Sequence, residues 1–118
     1  MIRSTMVAAL SLLAASPALA AEPDSPVPSG PEARIPNIAG FLEWVADGSR
    51  GIYIRSDRGR WFYARTLNKC SRLRSANGLA FLSKTGDLDR HDSLRVQGWR
   101  CRLSSVVESG PPPSLRGS

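Results

Sequence analysis

Proline placement constrains this chain more than any other feature. Of nine prolines in 118 residues, none lies between residues 37 and 110. Proline has no N–H to give a sheet ladder or a helix interior, so the proline-free stretch is the part able to build continuous secondary structure. Five prolines crowd residues 22–36 among Ser, Gly and charged side chains, and Pro111, Pro112 and Pro113 stand together near the other end. Such composition buries too little apolar surface to order itself. The boundaries predicted are a Pro-rich linker over 21–33, a single domain over 34–109 and a disordered tail over 110–118.

Residues 1–20 have a different character. Arg3 precedes an apolar run over 7–20 that closes on Ala18-Leu19-Ala20, the small-residue pattern a signal peptidase reads. The run is too short to span a bilayer. It predicts a signal peptide and a basic protein that is periplasmic or secreted, with no transmembrane segment after cleavage.

Within 34–109 the pattern is short strands broken by turns. Residues 43–46 end at Asp47-Gly48-Ser49, a turn signal. Ile52, Tyr53 and Ile54 form a β-rich run, and Asp57-Arg58-Gly59 suits a hairpin with glycine in the left-handed position. An aromatic strand follows over 61–67. Arg60 and Arg65 fall on opposite faces of it, so the charges do not choose its core side. Residues 68–77 are polar and arginine-rich, compatible with a short helix or a coil. An apolar run over 78–83 and a polar loop over 84–92 come next. Leu94 and Val96 then alternate with Arg95 and Gln97, Gly98 turns the chain, and Trp99, Cys101 and Leu103 alternate with Arg100, Arg102 and Ser104. Val106 and Val107 close the unit. No window sustains a helical period. The fold class expected is mainly β: a small five- to six-stranded curled sheet or partly open barrel, OB-like or SH3-like.

Cys70 and Cys101 are the only cysteines. In an exported chain this small they read as one disulfide; a metal pair and a reactive thiol are the alternatives. A zinc site needs about four N or S ligands, and His91 is the one histidine available to join them.

The formal net charge is +6, and fourteen of the sixteen basic residues are arginine. Arginine grips phosphate and carboxylate through two N–H groups at once. Arg55, Arg60, Arg65, Arg95, Arg100 and Arg102 are therefore candidate anion-binding residues, with Trp61, Phe62 and Tyr63 as stacking groups. The competing reading is that charge keeps an exported protein soluble while the aromatics fill its core. Export removes the chain from intracellular DNA and RNA, so specific nucleic-acid binding is not expected.

Chemistry-bearing residues are sparse. Asp87, Asp89 and His91, if extended, face one way and make a candidate metal site. The segment resembles the start of an EF-hand loop but has Asp92 where glycine is needed and Gly98 where a bidentate Glu belongs. An Asp-rich turn capping the next strand explains the same residues. No catalytic residue, enzyme activity or cofactor is expected.

Several segments carry a resemblance: Ile35-Pro36-Asn37, Gly40-Phe41-Leu42-Glu43-Trp44, Gly51-Ile52-Tyr53-Ile54, Gly59-Arg60-Trp61-Phe62-Tyr63-Ala64, Cys70 with Leu73-Arg74, Leu88-Asp89-Arg90, and Ser93 through Cys101. They resemble a family of small exported Gram-negative proteins with a two-cysteine domain of unknown function. The resemblance implies a periplasmic setting and a Cys70–Cys101 pairing, and it brings no activity to transfer. The leading functional expectation is a non-enzymatic binding or adaptor module whose arginine-rich face meets an anionic envelope component. A module that inserts the 84–92 loop into another periplasmic protein is the alternative, and a metal-dependent enzyme comes third.

Overall fold

The computed structural model describes residues 26–116. The segment read as a signal peptide, and residues 21–25 of the linker, lie outside the described residues. The fold is a six-stranded antiparallel sheet, β1 (Glu43–Asp47), β2 (Gly51–Arg55), β3 (Trp61–Thr66), β4 (Ala80–Leu82), β5 (Ser93–Val96) and β6 (Trp99–Glu108). Its spatial order is β1-β2-β3-β6-β5-β4, and it curls into a half-barrel, as the sequence pattern predicts. One 3-10 turn (Ile38–Gly40) and one four-residue helix (Pro113–Arg116) are the helical elements among the described residues. The arginine-rich 68–77 stretch is coil, built of turns in which Leu73 N–H donates to the Cys70 carbonyl and Ala76 N–H to that of Leu73.

Strand alternation sorts the sheet into two faces. Trp44 and Ala46 of β1, Ile52 and Ile54 of β2, Phe62 and Ala64 of β3, and Leu94 and Val96 of β5 face inward. They form the main core with Ile35, Ile38, Leu73 and Leu88 from the connections. The opposite set, Val45, Tyr53, Trp61, Tyr63 and Val107, forms a second cluster on the outer face, where Val27 packs against it. That is why every residue from Gly51 to Ile54 is buried: both faces of β2 are covered at this point.

Both hairpins expected from glycine are present. Gly59 has φ 83°, and Gln97 (φ 51°) with Gly98 (φ 83°) makes the two-residue turn between β5 and β6, the left-handed pair that matches strand twist. The sheet's two edges are bridged by side chains: Phe41, just before β1, meets Phe81 of β4 edge to face with ring centroids 5.0 Å apart. Residues 35 and 88 form an isolated antiparallel backbone bridge.

Cys70 and Cys101 form a disulfide with Cα atoms 5.9 Å apart, tying the 68–77 coil to β6. Cys70 and Leu73 are buried within the main core, so the bridge holds a plug of coil over the concave side. The proline-rich ends also reach the sheet. Ala33 N–H donates to the Val106 carbonyl, Glu32 bridges to Val107, and Pro112 is fully buried.

Candidate anion-binding face

Register decides which arginines stand together. Along β3, Arg65 lies on the outer face, two residues from Tyr63, and pairs with Ser105 of β6. The next β3 residue, Thr66, pairs with Leu103, so β6 spends two residues where β3 spends one, with Ser104 as the extra residue. This bulge shifts the alternation of β6 by one position. Leu103 and Val106 can therefore both enter the main core, and Arg100 and Arg102 come out on the same side as Arg65. On β5, Arg95 pairs with Arg100 and Ser93 with Arg102, which adds Arg95 to that outer face. Arg65, Arg95, Arg100 and Arg102 are all exposed.

None of these four guanidinium groups is ion-paired among the described residues; Arg100 Nε donates to Ser93 Oγ at 3.3 Å. Their surroundings are poor in acid as well. No Asp or Glu occurs from residue 58 to 86 or from 93 to 107, the segments that build β3, β4, β5 and most of β6. A depression of about 440 Å³ opens beside Arg65, where Arg50, Leu67, Lys69 and Ser104 also line it.

The other two candidates lie elsewhere. Arg55 is on the outer face at the far end of β2, where its Nη1 pairs with Glu43 at 3.2 Å. Arg60 pairs with Glu108 at 2.7 Å, and both side chains are largely exposed. These charges are matched within the fold, so the six arginines divide into a group of four and two ion-paired outliers.

The aromatic residues proposed as stacking groups serve the core instead. Phe62 is in the main cluster, and Trp61 and Tyr63 are in the outer one. Tyr63 is the anchor of that outer cluster. Its ring meets Tyr53 edge to face at 4.9 Å, and its hydroxyl donates to Asp47 Oδ2 at 2.7 Å. Asp47 in turn accepts from Arg50 Nε at 2.7 Å. Burial, followed by the hydrogen bond to the Asp47 carboxylate, pushes the Tyr63 hydroxyl well above the usual tyrosine range.

Trp99 behaves differently from its strand neighbours. Alternation places it with Cys101 and Leu103, yet it is 59% exposed because it stands at the β5–β6 hairpin, beyond the region the core covers. The Arg72 guanidinium lies 5.7 Å from its ring centroid. Sequence reasoning missed Trp99 as a surface residue; its position beside the Gln97-Gly98 turn was the available signal.

The 84–92 loop is held by its own carboxylates. Asp92 is 4% exposed and accepts from the backbone N–H groups of Lys84 and Asp89. Asp89 accepts from His91 N–H at 2.8 Å and from Arg34 Nη2 at 3.0 Å, while Asp87 accepts from Asn37 N–H. Asp87 and Asp89 thus turn toward Arg34 and neighbouring backbone. Among the described residues no three His, Cys, Asp or Glu side chains are grouped to share a metal ion.

Comparison with known family models, with curated proteins and with solved structures found no match to this chain.

Proposed function

We propose that this chain is a non-enzymatic binding or adaptor module, exported to the periplasm or beyond, whose arginine-rich outer face holds an anionic partner. One observation carries the reading: Arg65, Arg95, Arg100 and Arg102 share a face and have no carboxylate partner among the described residues. Like charges gathered without counter-charge oppose folding, an effect an anionic ligand would relieve. Arginine also suits the task, because its planar donor fork meets phosphate, sulfate or carboxylate in pairs of hydrogen bonds.

Most acids of the described residues collect toward the other end of the strands; Asp47, in register with Gly51 and Arg65, is the exception and is held by Arg50 and Tyr63. Asp57 lies in the β2–β3 turn, Glu43 opens β1, Glu108 closes β6, and Asp87, Asp89 and Asp92 lie in the loop before β5. The molecule would therefore present itself to a polyanion in one orientation. A thermal-shift titration with dextran sulfate tests this. The protein is expected to gain stability at low salt and to lose most of that gain at about 0.5 M NaCl, where the screening length falls below the size of a side chain. Stabilisation that ignores salt, or none at any concentration, would refute the proposal.

A further inference from the structure

We infer that the anionic partner is a lipid surface, and that Trp99 is the side chain that enters it; this rests on the arginine-rich face proposed above. Among the described residues three large apolar side chains are exposed, and two of them, Leu67 and Trp99, belong to the cationic end of the sheet. Leu67 follows β3 directly and donates its N–H to the Arg102 carbonyl at 2.7 Å. Trp99 opens β6, two residues before the disulfide-bonded Cys101. The tip that carries it is stiff, since a two-residue left-handed turn precedes it and the bridge to Cys70 follows.

An exposed indole on a stiff hairpin tip, with one guanidinium over its ring, fits a particular environment. Tryptophan settles at the boundary between headgroups and acyl chains, where its ring is apolar and its N–H stays wet. Arg72 over the ring, with Arg95, Arg100 and Arg102 on the opposite face of the same β5–β6 hairpin, gives the tip positive charge on both sides, which anionic headgroups attract. A soluble polyanion would use the arginines and leave Trp99 and Leu67 in water. Charge complementarity with an exposed apolar tip therefore favours a bilayer bearing anionic phospholipid over a free polymer.

The test uses the chain with its native processing, and each variant carries the same amino terminus. Vesicles of phosphatidylcholine containing about a third phosphatidylglycerol are expected to sediment the protein, and pure phosphatidylcholine vesicles are not. Trp99→Ser should weaken partitioning into the anionic vesicles by about tenfold while leaving dextran sulfate binding unchanged. Brominated acyl chains should quench part of the tryptophan emission of the parent chain and none of that part in Trp99→Phe. Dextran sulfate binding without vesicle binding would overturn the lipid assignment and leave the cationic face standing. Equal vesicle binding by Trp99→Ser and the parent chain would overturn the role of Trp99. Binding to neither probe would overturn both proposals.

Discussion

Gly51 lacks a side chain because Tyr63 occupies the place where one would be. A Cβ built there would lie 2.6 Å from the Tyr63 hydroxyl oxygen and 2.6 Å from the Ala64 carbonyl. The second contact is to backbone, which cannot move aside. Gly51→Ala should therefore cost about 1–3 kcal/mol as an overpacked site, a fall in Tm of several degrees for a domain of this size. A calorimetric Tm equal to that of the parent would contradict the packing described here. The same tyrosine gives a pH prediction. Its folded pKa is raised above the unfolded value near 10, so its contribution is complete below pH 10 and declines as pH rises beyond it. Tyr63→Phe should lower stability at neutral pH by about 2 kcal/mol, through loss of the hydrogen bond to a carboxylate. It should also flatten the alkaline limb of the stability curve above pH 10, measured by urea unfolding. An unchanged alkaline limb would count against Tyr63 as its source. Little of this was legible in the chain: Trp61, Phe62 and Tyr63 announce a strand, but only the pairing of Gly51 with Arg65 sets the Tyr63 ring over the glycine.

At the scale of elements, local signals reached most of the sheet. Turn glycines and period-two alternation located the strands and both hairpins, since these depend on neighbours in sequence. The bulge at Ser104 was not legible. A sequence shows Leu103 and Val106 three apart, which fits the end of one strand as well as an extra residue within it. Yet this single residue is what brings Arg65 onto one face with Arg100 and Arg102. The 68–77 coil has the same character, because its fixation comes from Leu73 entering the core and Cys70 reaching Cys101. Closing a loop of sequence separation 31 stabilises by about 3–4 kcal/mol in the chain-entropy model. Thermal unfolding with and without reductant should differ by at least ten degrees. A difference of one or two degrees would mean that the coil is held by packing alone.

On the scale of the whole molecule, the charge surplus was plain from composition and its geometry was not. Six arginines qualified by count, but ion pairing removed Arg55 and Arg60: Glu43 faces Arg55 across the β1–β2 pair, and Glu108 reaches Arg60 from the far end of the sequence. Exposed pairs of this kind stabilise little, so their importance here is to concentrate unmatched charge at the opposite end. The most direct test of that concentration is titration of the protein with fluorescent dextran sulfate at two salt concentrations. The parent is compared with the triple variant Arg65→Glu, Arg95→Glu, Arg102→Glu and with the control Arg55→Glu, Arg60→Glu. The cationic face predicts that the triple variant loses binding at least a hundredfold and most of its salt dependence, while the control stays within a fewfold of the parent. Equal losses in the two variants would show that net charge, and not this face, holds the anion.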